Sequence, residues 1–214
     1  MPTAAPAWVH RLAGRFIVFD GPDGSGKSTQ FRRFADYLAR AGVTVCEVRE
    51  PGGTAIGEQI RKILLDTSNG DMDLRCEMLL YMASRAQLVA QRIGPALRDK
   101  QCVLADRFIS STLAYQGAAG GISRQDILRV GQIALGDCWP HLVVVFDVDQ
   151  ATAATRLNPL LDRMELKGSD FHRTVRQGYL DQAREDPEHY LVIDAGADAH
   201  TVFERLLDGL GQRI

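Results

Sequence analysis

Residues 21–28 carry the most informative spacing in the chain, because they read G-x4-G-K-S. This is the pattern of a phosphate-binding loop, and it follows the apolar run 16-FIVF-19, as that pattern requires. Glycines let the backbone turn so that successive N–H groups point inward and, with the N-terminus of the next helix, bind an anion. The context favours a nucleoside triphosphate site over a glycine-rich turn with an incidental lysine.

The side chains of this loop have separate expected tasks. The Lys27 ammonium is expected to reach the β- and γ-phosphates, and the Ser28 hydroxyl is expected to bind Mg²⁺. Asp23 is an unusual acid inside an anion-binding loop and needs its own explanation. The predicted ATP-binding residues are Gly21, Pro22, Asp23, Gly24, Ser25, Gly26, Lys27, Ser28 and Thr29.

A second signal is Asp106-Arg107, which follows the apolar run 102-CVLA-105. An aspartate at the end of a strand beside the phosphate loop can contribute to the Mg²⁺ shell opposite Ser28. Taken alone, Asp106-Arg107 is more typical of a local ion pair. Together with the phosphate loop it indicates a metal and phosphate site.

Two further stretches are weaker signals. Arg49 and Pro51 follow another β-rich run, where an arginine could meet a bound phosphate, although Pro-Gly-Gly is first of all a turn and Arg49 first of all a surface charge. Thr54 can cap the helix that follows. On a helix, Tyr81 and Arg85 share a face, so a ring and a guanidinium could stack on a flat base and bind its edge.

Short β-rich runs alternate with longer helical patterns, which predicts a parallel sheet covered on both faces. The strands are expected near 15–20, 43–49, 102–106, 142–147 and 190–193. Ligands of open α/β sheets lie beyond the carboxyl ends of the strands, so the site is expected there. Residues 156–168 interrupt the pattern and are predicted to form a lid.

The composition limits the class of protein. The chain has 214 residues, 45% of them hydrophobic, with a net charge of −2, which suits small-molecule ligands or self-association better than nucleic acid. Its four cysteines show no C-x-x-C pair and no apolar run approaches a membrane span, so we expect no membrane partner and a cytoplasmic protein. Residues 1–14 are interpreted as a flexible leader and 15–214 as one domain.

Five segments together resemble the thymidylate kinase family: 19-FDGPDGSGKSTQ-30, 50-EPGGTAIGEQIR-61, 79-LLYMASRAQ-87, 106-DRFISSTLAYQG-117 and 161-LDR-163. The resemblance implies an α/β fold of the P-loop NTPase type, with three layers, five parallel strands, helices on both faces and a short lid. It also implies transfer of the ATP γ-phosphoryl group to dTMP with Mg²⁺, and a homodimer.

The resemblance assigns residues as well. It implies dTMP binding by Asp23, Arg49, Pro51, Tyr81, Arg85, Arg107, Ser111, Thr112, Tyr115 and Gln116. The implied catalytic residues are Asp23, Lys27, Arg107, Arg163 and Arg156, and the implied metal ligands are Ser28 and Asp106. Asp23 would face the deoxyribose 3′-hydroxyl, and Tyr115 would press on C2′.

One position separates two subgroups of the family. Gly24 stands where one subgroup carries an arginine in the phosphate loop, so this chain resembles the subgroup that supplies cations from the lid. Arg156 and Arg163 are the candidates, with Lys167 a third. Two alternatives remain open at this point, namely a kinase for another nucleoside monophosphate and a nucleotide-dependent switch that binds without turnover.

Overall fold

The sheet consists of five parallel strands in the order β2-β3-β1-β4-β5. A computed structural model describes residues 5–156 and 163–214 of the chain. The strands are β1 (Phe16–Asp20), β2 (Val45–Arg49), β3 (Cys102–Asp106), β4 (Leu142–Asp147) and β5 (Tyr190–Asp194). All five predicted strands are present, and each boundary lies within two residues of its expected position.

The strand register brings the polar strand ends together. Phe19 of β1 and Arg49 of β2 both pair with Asp106 of β3, so the carboxyl ends of three neighbouring strands are level. The central strand β1 is buried along its whole length, because both of its faces are covered. The acid at its end, Asp20, is therefore completely buried as well. This edge of the sheet is where the sequence places the site.

Helices cover both faces of the sheet, as predicted. Their bounds are α1 (Ala7–His10), α2 (Lys27–Arg40), α3 (Ala55–Leu65), α4 (Leu74–Leu88), α5 (Gly94–Arg98), α6 (Ile109–Thr112), α7 (Arg124–Leu135), α8 (Gln150–Ala154), α9 (Ser169–Glu185) and α10 (Ala199–Arg213). The side chains of Phe16 and Val18 contact the core shared with α4, α7 and α9, and those of Ile17 and Phe19 contact the core shared with α2 and α10.

Two short segments widen from α-helical to π-helical turns. They are Val89–Ile93, which continues α4, and Leu113–Ala118, which continues α6. Such wide turns occur often at functional sites because they change the direction in which side chains point. The second segment carries Tyr115 and Gln116. At the start of α3, the Thr54 hydroxyl accepts a hydrogen bond from the Gly57 N–H at 3.0 Å, which confirms the predicted cap.

The N-terminal residues differ from the flexible leader expected over 1–14. Within the described part, residues 7–10 form α1, and the side chains of Val9 and Leu12 are completely buried against the core beside α2 and α10. The reason is apolar burial, since Trp8, Val9 and Leu12 together offer an apolar surface that the sheet face can cover. Residues 1–4 lie outside the described residues. No helix among residues 5–156 and 163–214 is long and apolar enough to cross a membrane.

Candidate active site

The loop after β1 has the backbone shape of an anion-binding cradle. Gly21 and Gly24 adopt φ angles of 141° and 77°, in the region that favours glycine. A Cβ atom on Gly21 would lie 2.5 Å from the carbonyl oxygen of Phe146, and one on Gly24 would overlap the carbonyl of Ala153. Both positions therefore require glycine for conformation and for space. Helix α2 begins directly after the loop at Lys27, so its unpaired N–H groups face the same point.

Two hydroxyls of the loop belong to residues that were predicted to bind ATP or Mg²⁺. The Ser25 hydroxyl is buried and has no hydrogen-bond partner among the described residues. The Ser28 hydroxyl donates to the Asp106 carboxylate at 3.1 Å, which brings together the two predicted Mg²⁺ ligands. No group of three or more His, Cys, Asp or Glu side chains in the described residues could hold a metal by itself. One hydroxyl and one carboxylate suit Mg²⁺, which keeps waters and takes its other oxygens from phosphates.

Asp23 is fixed by two side chains from the segment that follows β3. Its carboxylate accepts hydrogen bonds from the Arg107 guanidinium and from the Tyr115 hydroxyl, the latter at 2.7 Å. Burial raises the pKa of Asp23, but the charges of Arg107 and Lys27 and the hydrogen bond from Tyr115 outweigh burial and hold the pKa at about 2. Burial raises the pKa of Tyr115, so its hydroxyl remains a donor.

Lys27 lies in the same charged neighbourhood and lines the cavity described below. Burial and the nearby charge of Arg107 lower the pKa of Lys27, while the Asp106 carboxylate opposes that shift. The lysine is thus surrounded by charges of both signs at the start of α2, which is the position a phosphate-binding lysine requires.

Asp20 at the end of β1 organises a buried network that the sequence motifs do not reveal. It accepts hydrogen bonds from the hydroxyls of Ser110 and Tyr179, both at 2.6 Å, and from Ser111 at 2.8 Å. Arg107 donates to Asp20 at 3.3 Å and to the Tyr179 hydroxyl at 3.1 Å. The network holds Arg107 in its left-handed backbone conformation, with φ of 69°. Asp20, Ser110 and Tyr179 do not line the cavity described below but support Arg107 from behind it, and none of them was among the predicted site residues.

Arg85 lies at the opposite end of the site and is 1% exposed. Glu50 accepts three hydrogen bonds from its guanidinium, between 2.6 and 3.1 Å, and the Thr112 hydroxyl accepts a fourth at 3.2 Å. The guanidinium also stacks on the ring of Phe108, 5.1 Å from its centroid. Burial raises the pKa of Glu50, against the lowering effect of Arg85. Glu50 was not predicted as a site residue, although it follows β2 directly.

Three further predicted residues each contact a neighbouring side chain. Arg49 pairs with both carboxylate oxygens of Glu58 at 3.1 Å, and its side chain is half exposed. The carbonyl of Pro51 accepts a hydrogen bond from Arg61 at 2.9 Å. Gln116 is buried and donates from its amide to Glu77 at 2.6 Å.

The two arginines proposed as lid cations occupy different places. Arg156 donates to the carbonyls of Ala195, Gly196 and Ala197, and its guanidinium is 3.9 Å from the point where a Cβ on Gly26 would lie. It therefore borders the phosphate loop.

Arg163 does not reach the phosphate loop in this structure. It is 7% exposed, pairs with Glu77 at 2.6 Å and donates to the carbonyl of Leu64 at 2.7 Å. In this structure the buried Glu77 carboxylate pairs with Arg163, and the predicted catalytic role of Arg163 stays a prediction. Lys167 lies beside the same carboxylate, at 3.8 Å. Of the predicted lid, 157–162 lie outside the described residues.

One cavity of about 490 Å³ joins these parts at the carboxyl edge of the sheet. Thirteen of the predicted site residues line it, namely Asp23, Lys27, Ser28, Arg49, Pro51, Tyr81, Arg85, Asp106, Arg107, Ser111, Thr112, Tyr115 and Gln116. The phosphate loop and the aromatic and guanidinium pair of α4 therefore share one cavity. Its size and its mixture of charged and flat aromatic groups suit a nucleotide.

Comparison with known proteins agrees with this geometry. The sequence profile of the family described as thymidylate kinase matches residues 19–206. A thymidylate kinase from Symbiobacterium thermophilum is 43% identical over 188 residues, which cover 87% of this chain and 88% of that protein. A thymidylate kinase from Pelotomaculum thermopropionicum is 46% identical over 187 residues, which cover 86% of this chain and 87% of that protein.

A solved structure shows the same fold. The crystal structure of thymidylate kinase from Ehrlichia chaffeensis has 32% sequence identity and a TM-score of 0.76, and the match covers 92% of this chain and 98% of that one. The three-layer arrangement of the P-loop NTPase type, predicted from the segments above, is thereby confirmed. With the profile matching most of its length and relatives above 40% identity, the chain belongs to the thymidylate kinase family and is an enzyme of that kind.

Proposed function

We propose that the chain transfers the γ-phosphoryl group of ATP to the 5′-phosphate of dTMP, giving dTDP and ADP. The observation that carries this proposal is the single cavity, which Lys27 and Ser28 of the phosphate loop line together with Tyr81 and Arg85 of α4. Family membership supports the same substrates. A cavity that holds a triphosphate beside a flat, hydrogen-bonding wall suits two nucleotides placed end to end.

The donor binds to the loop after β1 in this proposal. Loop N–H groups, the N-terminus of α2 and the Lys27 ammonium hold the β- and γ-phosphates. Ser28 and Asp106 would hold Mg²⁺, which would neutralise charge on the phosphate oxygens. Arg156 is the lid cation best supported by its position, because its guanidinium borders Gly26.

The acceptor phosphate binds between Arg107 and Arg49, both of which line the cavity. An oxygen of the dTMP phosphate attacks the γ-phosphorus in line, the bond to the β-phosphate oxygen breaks, and ADP leaves. A phosphate oxygen is already a nucleophile, so no strong base is needed and catalysis comes from position and charge. Asp23, held by Arg107 and Tyr115, accepts from the deoxyribose 3′-hydroxyl. Tyr115 presses on C2′ and disfavours a ribose hydroxyl.

The base lies against α4 and the π-helical segment. Tyr81 stacks on the ring, and Arg85 donates to its carbonyl edge, with Thr112 and Gln116 nearby. Support comes from the fixed orientation of Arg85, since Glu50 takes hydrogen bonds from two of its three nitrogens. The third nitrogen donates to the Thr112 hydroxyl and the Met82 sulfur, so the guanidinium plane is fixed and the second N–H of the Nη2 nitrogen remains for a carbonyl of the base.

We also propose a homodimer. Helices α3 and α4 are neighbours, as are α4 and α7, and they expose Ile56, Leu79 and Ile133, the last with 87% of its surface accessible. A second copy of the chain would cover these apolar side chains. Replacing Ile133 with Glu should shift the molecular mass measured by light scattering toward one chain, and an unchanged mass would exclude Ile133 from the interface.

The proposed location is the cytoplasm, as expected from the sequence. It is supported by the four free thiols at Cys46, Cys76, Cys102 and Cys138, which persist in reducing compartments. Burial raises the pKa of Cys102 to about 12, so that thiol is chemically inert.

A panel of acceptors tests the proposed reaction. The purified chain, ATP and Mg²⁺ are incubated with dTMP, TMP, dUMP, dCMP, dGMP or AMP, and kcat/KM is measured for each. We expect dTMP to be the best acceptor and TMP, its ribose counterpart, to be clearly worse. Higher efficiency with AMP or dGMP would identify another monophosphate kinase. Binding of ATP and dTMP without formation of dTDP would indicate a switch.

A further inference from the structure

Glu77 lies behind the wall of the cavity and has no role in the reaction as described so far. It is 1% exposed, lies in the first turn of α4 and does not line the cavity. One carboxylate oxygen accepts from the Gln116 amide at 2.6 Å, and the other pairs with Arg163 at 2.6 Å, with Lys167 at 3.8 Å. A buried carboxylate therefore joins Gln116, a cavity residue, to Arg163 on the chain that leads into α9.

The bond to Glu77 determines which end of the Gln116 amide faces away from it. A carboxylate in an ion pair only accepts hydrogen bonds, so the group that Gln116 turns toward Glu77 must be its NH₂. The amide oxygen is then the part of Gln116 that remains for a ligand. Gln116 lines the same cavity as Arg85, so the wall offers an acceptor oxygen from Gln116 and the one N–H of Arg85 that Glu50, Thr112 and Met82 do not take.

This arrangement distinguishes pyrimidines by the hydrogen at N3. Thymine and uracil carry an N3–H donor beside a carbonyl at position 4, whereas cytosine has an N3 acceptor beside an amino donor. An acceptor oxygen from Gln116 and a donor from Arg85 match thymine and uracil and oppose cytosine at both positions. A Gln116 amide turned by 180° would instead offer its NH₂ to the N3 of cytosine.

We propose that Glu77 is a positioning residue which, through its bond to Gln116, makes the pocket select bases with an N3–H over cytosine. The proposal rests on the proposed function, because it assumes a pyrimidine monophosphate in this cavity. Arg163 contributes by pairing with the second carboxylate oxygen and donating to the Leu64 carbonyl, so that the carboxylate cannot rotate away. In this arrangement the buried Arg163, whose position was unexpected for a lid cation, keeps Glu77 oriented toward Gln116.

The test compares kcat/KM for dUMP and dCMP, two acceptors that differ only at positions 3 and 4. In Glu77→Gln the residue at 77 can accept or donate, so the Gln116 amide can turn, and the ratio of dUMP to dCMP should fall roughly tenfold or more. Gln116→Met should lower the ratio as much while leaving the Glu77–Arg163 pair in place. In the Gln116→Met background, Glu77→Gln should cause no further change in the ratio.

Three outcomes would overturn the proposal. The first is a dUMP to dCMP ratio in Gln116→Met within about twofold of the wild-type ratio. The second is that adding Glu77→Gln to Gln116→Met lowers the ratio again by the factor seen for Glu77→Gln alone. The third is that Leu206→Ala lowers the ratio as much as Glu77→Gln does. Leu206 is buried in the core on the opposite face of the sheet, so its truncation destabilises the fold without touching the cavity. If Glu77→Gln does not fold, an unchanged ratio in Gln116→Met still overturns the proposal. A wild-type chain that phosphorylates neither dTMP nor dUMP would instead refute the proposed function.

Discussion

The end of the cavity at the phosphate loop is made largely of backbone, whereas the end where we propose that the base binds, here called the base end, is made of buried side-chain pairs. At the phosphate end, residues 21–28 supply consecutive N–H groups and the start of α2. At the base end, Glu50 holds Arg85 and Glu77 holds Gln116, and each partner comes from a different segment of the chain. An anion can be held by any well-shaped run of backbone, but a base must be read by side chains whose donors and acceptors are fixed.

The largest expected effect tests the lysine side chain of the phosphate loop. Lys27→Met should lower kcat/KM for dTMP on the order of 10³-fold, because charge that develops on the phosphates loses a preorganised cation. The fold should be retained, since Lys27 lies at the edge of the cavity. Steady-state kinetics measure the effect, and Lys62→Met on the exposed side of α3 should match wild type. A loss below tenfold would mean that backbone alone suffices.

The next largest effect tests the buried ion pair between Glu50 and Arg85 at the base end. Glu50→Gln leaves the buried Arg85 without a compensating charge and should lower the free energy of unfolding by about 3–5 kcal/mol, measured by urea denaturation. Glu185→Gln breaks an exposed pair with Arg124 at 3.5 Å and should change it by less than about 1 kcal/mol. Similar values for the two variants would remove the contrast between buried and exposed pairs.

Acid pH distinguishes the contribution of the Asp23 side chain to stability from that of the loop backbone, because only the carboxylate titrates. Its pKa is lowered from 3.8 to about 2 in the folded protein, so its contribution to stability is complete above pH 3.8 and is lost as the pH falls through about 2. Between pH 5 and pH 2 the wild type should lose about 2 kcal/mol more stability than Asp23→Asn. Tyr115→Phe, which removes one of the two donors, should give an intermediate loss. Identical acid profiles for wild type and Asp23→Asn would contradict the depressed pKa.

The smallest effect asks whether side chains also support the phosphate end. Tyr179→Phe removes the hydroxyl that contacts Asp20, Ser111 and Arg107, and should lower stability by about 1 kcal/mol. The KM for dTMP should rise several-fold, because Arg107 loses a partner that orients it. Tyr37→Phe, on the opposite face, is the control and should change neither value. An unchanged KM in Tyr179→Phe would limit α9 to a packing role.

Local sequence patterns were enough to predict the features of the phosphate end that depend on residues close together in the chain. The loop, the start of α2 and the meeting of Ser28 with Asp106 were expected from motif spacing and from the assumption that the two strands are neighbours, and the structure has the two side chains in contact at 3.1 Å. Parallel strands level their carboxyl ends, so a motif after one strand and an acid after its neighbour must lie close together.

Tertiary contacts changed the interpretation elsewhere. Tyr179 is one of many residues in a long amphipathic helix, and no local spacing connects it to Asp20, 159 positions away in the chain. Arg163 and Arg156 were both predicted to be lid cations. In the structure Arg156 borders the phosphate loop, whereas Arg163 pairs with the buried Glu77. In the segment expected to be a flexible leader, Val9 and Leu12 are likewise buried against the core beside α2 and α10, a contact that the composition could not reveal.

By itself, the sequence determined the positions of the strands, the phosphate loop, the residues available to bind two nucleotides and the family resemblance. These depend on periodicity and short spacings, which are properties of neighbouring residues. Only the tertiary structure decided which buried acid holds which cation or amide, as in Glu50 with Arg85 and Glu77 with Gln116 and Arg163. A buried charge must be paired wherever the fold allows, and that choice depends on three-dimensional proximity, which no local pattern encodes.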